Sequence, residues 1–204
     1  VAGELSSDKI EYYYKKNRFI NLLLITHKWR DLLIRKEAAF SIVLAVLSTW
    51  LVFVIYMTTA TKDFSTFVSN LTLTLGVGLI SILGFLVGGL AIIAGTVGSK
   101  VLYNINSEKK FDHLMSIIFS FYFGGAVTGV TLVIFIGTYL LVHTPWDISL
   151  PGVIVISIIA SYFFWFVVVY SIMLLGTLLR LVIMTYRYGY DNTFPDMNEI
   201  AKQK

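Results

Sequence analysis

Cysteine is absent from this 204-residue chain, which excludes disulfides, zinc–thiolate sites and thiol nucleophiles. Charge is scarce as well. Only 14% of residues are Asp, Glu, Lys or Arg, where a soluble domain carries about 25%. No Asp, Glu, Lys, Arg or His falls deep inside any of four long apolar runs. Ion-coupled transporters and proton pumps place such groups in the membrane, so a small transporter is a secondary reading. The same lack removes a buried acid–base pair for intramembrane catalysis. The Tyr, Ser and Asp residues near the ends of the runs form no catalytic constellation, so no catalytic residue is assigned and the chain is expected not to be an enzyme. His27, His113 and His143 are scattered, and neither a metal site nor a cofactor is expected. The string GTVGSK lacks the spacing of a phosphate-binding loop and ends an apolar run. A cleavable signal peptide is not expected, because a long charged segment precedes the first run. A chain opening on Val1 is expected to start inside a longer natural chain or behind a removed tag.

What is present is apolar: 57% of the residues are hydrophobic. The runs predict four transmembrane helices at about residues 40–59, 71–99, 114–142 and 152–179. Charge is distributed unequally around them. Lys9, Lys15, Lys16, Arg18, Lys28, Arg30, Arg35 and Lys36 precede the first run. Lys100, Lys109 and Lys110 lie between the second and third, and Arg180, Arg187, Lys202 and Lys204 follow the fourth. Lys62 alone falls on the other side. Cytoplasmic segments hold the excess of Lys and Arg, so both termini and the central turn are expected in the cytoplasm. This accounts for the net charge of +4 without invoking nucleic acid. The fold expectation is an all-α integral membrane protein of four spans with a basic amphipathic helix before them.

Three segments follow. Residues 1–37 form a cytoplasmic N-terminal segment, 38–186 the four-helix membrane domain and 187–204 a cytoplasmic tail. Within residues 9–37, Leu22, Ile25, Trp29 and Leu32 make an apolar stripe, with Asn21, Lys28, Asp31 and Arg35 opposite. Lys15, Lys16, Arg18, Lys28, Trp29, Arg30, Arg35 and Lys36 are the candidates for binding anionic lipid head groups or an acidic cytosolic protein. TKDFSTFVSN and HTPWDISLPG are expected as outer loops, with Asp63 and Asp147 as solvated acids and Pro145 and Pro151 shaping the second.

The second run carries the most specific pattern. Ser81, Gly84, Gly88, Ala91, Gly95 and Gly98 recur at steps of 3, 4, 3, 4 and 3. Small residues let helix backbones approach closely in lipid. The seam is expected to pack against the third helix of its own chain, to form a subunit interface or to line a pore. Ser116, Ser120, Gly124 and Thr128 on the third run, at fourfold spacing, offer a matching face. The Phe-, Leu- and Ile-rich opposite faces are then expected to meet lipid. In the fourth run, Tyr162, Phe163, Phe164, Trp165 and Phe166 form a bulky band expected to face lipid or wedge between subunits.

A basic helix, four spans and the Gly-rich second span GFLVGGLAIIAG together resemble the small four-helix membrane proteins encoded beside bacterial anti-phage systems or in prophages, over residues 9–190. The resemblance implies the bacterial inner membrane and a subunit that senses infection or permeabilises the bilayer. It transfers no functional residue. Flagellar-stator-type proteins share the span number, but this chain lacks their large cytoplasmic insertion. Three functions remain open: an oligomeric pore or membrane-perturbing effector, an anchor or sensor docking a cytosolic partner, and the transporter.

Overall fold

Away from water, a backbone satisfies its own polar groups locally only as helix. The computed structural model describes residues 36–96, 111–144 and 150–190, and these form four helices. We number them α1 (Lys36–Thr58), α2 (Thr61–Thr96), α3 (Phe111–Val142) and α4 (Leu150–Tyr190). Each is long and apolar enough to cross a membrane. With 41 residues, α4 is about 61 Å long, twice a hydrocarbon core of about 30 Å. Among the expected segments, the basic helix up to residue 35, Gly98, Asp147 and the tail from residue 191 lie outside the described residues.

The expected outer loop at 61–70 is helix instead. Only Thr59 and Ala60 separate α1 from α2. The last bond of α1 runs from Thr59 N–H to the Ile55 carbonyl, 3.0 Å, and the first of α2 from Phe64 N–H to the Ala60 carbonyl, 2.9 Å. Phe64, Phe67, Val68 and Leu71 carry an apolar stripe through the polar-looking stretch at helical spacing. Phe64 buries its ring edge-on against Tyr56 of α1, centroids 5.0 Å apart. Asp63 sits in the first turn, where a carboxylate complements the positive end of the helix dipole. At the other expected loop, Pro151 occupies the first turn of α4, where its missing N–H costs no helical bond.

Only one of the two main helix pairings joins neighbours in sequence. α1 packs chiefly on α4, and α2 on α3; α4 also contacts α3 and α2, while α1 touches α2 only slightly and α3 less still. The core lies among α2, α3 and α4. Leu79, Leu86 and Ile93 interleave with Leu114, Ile117 and Phe121, and with Phe166, Tyr170, Leu174 and Leu178. The bulky band of α4 therefore points inward more than expected. Phe166 is wholly buried and stacks on Tyr170 at 5.5 Å, and its four neighbours in the band are half-buried.

α1 contributes little bulk. Its buried positions are Ala38, Ser41, Ala45 and Thr49, spaced 3, 4 and 4 residues apart. Small residues at that spacing allow α1 to lie close to α4. Trp165 then donates its indole N–H to Ser48 Oγ across the pair, 2.7 Å.

Candidate functional site

Two seams of heptad spacing run along α2. Thr72, Leu79, Leu86, Gly89 and Ile93 are buried, with half-buried Leu75 and Ile82 completing the rhythm. Ser81, Gly84, Gly88, Ala91 and Gly95 lie two residues further on at each step, and all five are exposed. Two residues are about 200° around a helix of 3.6 residues per turn. The two seams therefore occupy opposite faces, and only one can meet α3. The large-residue seam does. The expected mating of the α2 small-residue seam with α3 does not occur, and a Cβ added at Gly84, Gly88 or Gly95 would meet nothing within 4 Å.

The close approach of α2 to α3 falls on Gly89, which the spacing pattern passed over. A Cβ there would lie 2.6 Å from Cε1 of the buried Phe121. The small face of α3 divides. Ser120, Gly124 and Thr128 are buried and Ser116 is exposed. Gly124 abuts α4 rather than α2, and an added Cβ would lie 3.1 Å from both Leu174 and Tyr170. Tyr170 donates to the Ser120 carbonyl there, 3.3 Å, and its ring meets Phe123 edge-on.

The hydroxyls mostly serve their own helices. Ser120 donates to the Ser116 carbonyl, Thr128 to Gly124 and Thr131 to Val127, each at 2.8 Å, and exposed Ser81 to Val77 at 3.1 Å. Thr49 Oγ1 and Ser69 Oγ are exceptions, buried with no hydrogen-bond partner among the described residues.

Beside the outward seam, α2 and α3 leave a shallow groove of about 320 Å³, lined by Leu83, Val87, Leu90, Tyr122 and Gly125 among others. A larger cavity of about 540 Å³ lies in the opposite half of the bundle, near the α1–α2 turn. All four helices line it, and no charged residue does. Its hydroxyl-bearing residues are Ser48, Thr72, Thr138, Ser157 and Ser161. Ser48 and Thr138 donate to the carbonyls of Leu44 and Ile134.

His143 is exposed beyond the end of α3, where its Nδ1 donates to the Tyr139 carbonyl, 2.9 Å. Among the described residues, no group of three or more His, Asp or Glu is placed to hold a metal ion.

Comparison with protein families, with curated proteins and with solved structures finds no match to this chain.

Proposed function

We propose that the chain is a non-enzymatic integral membrane protein of the bacterial inner membrane, with both termini cytoplasmic, that assembles into homo-oligomers and perforates or perturbs the bilayer. The outward small-residue seam of α2 carries the reading. A Gly, Ala and Ser face turned away from its own bundle, with open space over each glycine, is the kind of face along which a second helix approaches closely. The adjoining groove offers room for the bulkier side chains of that helix. Among the described residues one copy lines no cavity with charge, and a hydrophobic constriction between copies gates by dewetting without a charged filter. Defence by membrane damage agrees with the layout that the chain shares with anti-phage membrane subunits.

The test is reconstitution in liposomes, with ion flux and oligomer mass measured on one sample. A defined oligomer that passes ions is expected. Gly88→Leu is expected to lower the mass and abolish flux while helix content and melting temperature hold, because its side chain enters open space in the single chain. Unchanged mass and flux in Gly88→Leu would overturn the seam as the interface. A tight but electrically silent assembly would overturn the pore.

A further inference from the structure

The cavity of about 540 Å³ has a mouth and a floor. Leu51 of α1 and Phe67 and Leu71 of α2 line it and are also exposed, 50%, 37% and 36% respectively. They lie on two adjoining helices that barely touch. The mouth is therefore the gap between α1 and α2, facing sideways from the bundle. Toward the turn that gap is closed by the Tyr56–Phe64 ring contact. Thr72 and Phe135, 8% and 6% exposed, form the floor.

We propose that this cavity admits one acyl chain of a membrane lipid, inserted sideways between α1 and α2. Four observations favour an acyl chain. The walls are mostly apolar and carry hydroxyls but no charge. The mouth lies along helices apolar enough to sit in hydrocarbon. The floor begins eleven residues into α2, about 16 Å below its first residue, a depth that suits the tail of a lipid rather than its head group. The volume falls within the range of about 300–1,000 Å³ typical of small-molecule pockets. An apolar void gains dispersion contacts when a hydrocarbon chain fills it, and water has few polar partners there. The narrow α1–α4 contact creates the site. Because α1 turns a small-residue face to α4, it stays with α4 and leaves the α2 side open. The cavity occupies the half of α2 that precedes Ser81, so its occupation is independent of the outward seam.

The test uses the full chain in phosphatidylcholine–phosphatidylglycerol vesicles doped with a phosphatidylcholine bearing a mid-chain diazirine. After photolysis, labelled residues are located by peptide mass spectrometry. Exposed Val133 reports ordinary lipid contact and wholly buried Phe166, which does not line the cavity, reports background. Phe135 is expected to be labelled as strongly as Val133. Leu71→Trp, placed at the mouth and outside the core cluster, is expected to cut Phe135 labelling several-fold and leave Val133 unchanged. Labelling of Phe135 at the Phe166 level would overturn the proposal, as would Phe135 labelling that survives the blocked mouth. The same readout in Gly88→Leu separates the two proposals, since loss of oligomers there leaves cavity labelling intact.

Discussion

Gly88 and Gly89 are adjacent in sequence and face opposite surroundings. A methyl group at Gly88 enters open space, and one at Gly89 drives into the ring of Phe121. Phe121 is wholly buried, and at 2.6 Å its ring or the helix carrying it has to shift. Gly89→Ala is therefore expected to destabilise the chain by about 1–3 kcal/mol, the usual cost of overpacking. Gly88→Ala is expected to be neutral toward single-chain stability. Detergent-titration unfolding of the two variants side by side checks this. Gly124 is intermediate, because its contacts at 3.1 Å require Leu174 and Tyr170 to give by only a few tenths of an ångström. None of this ordering was legible in the sequence. Both glycines belong to the run GFLVGGLAIIAG, and spacing alone distinguishes faces without telling which face is inside.

The four helices were legible as elements, because uncharged apolar runs leave the backbone no other way to satisfy itself. Their ends were less so. Lys62, Asp63 and the Ser, Thr and Asn residues of 61–70 looked like a loop, yet Phe64, Phe67, Val68 and Leu71 continue the helical stripe beneath them. The packing of α1 was hidden for a different reason. Its buried face is Ala38, Ser41, Ala45 and Thr49, and among bulkier apolar residues at 42–43 and 46–47 such a face leaves no strong contrast. Hydrophobicity separates core from water, but four helices apolar on all sides give no such contrast. Ala45→Leu is expected to prise α1 from α4 at a cost of about 1–3 kcal/mol. Val46→Leu, at an exposed site, is expected to cost nothing measurable. Spin labels on α1 and α4 would report the separation, with the Ala45 variant alone lengthening the distance.

At the scale of the molecule, α4 is the common neighbour. It contacts each other helix, and α1 is held by α4 rather than by the turn that joins it to α2. Cutting the chain between Thr59 and Ala60 is therefore expected to leave α1 associated with the remainder. Co-expression of the two fragments, with tag-based recovery of one and detection of the other, checks this. Loss of association would show that the turn, and not the α1–α4 surface, keeps α1 in place. The same arrangement sets an order of events during synthesis. Ser48 and Trp165, the pair that bridges α1 and α4, are 117 residues apart. At ribosomal speeds of about 5–20 residues per second, α1 waits on the order of ten seconds before its partner exists. Through that interval Ser41, Ser48 and Thr49 have no α4 to shelter them. Of the four described helices, the first made is the last to find its partner, and a newborn chain halted before α4 holds α1 with its interface unused, open to any neighbour that reaches it first.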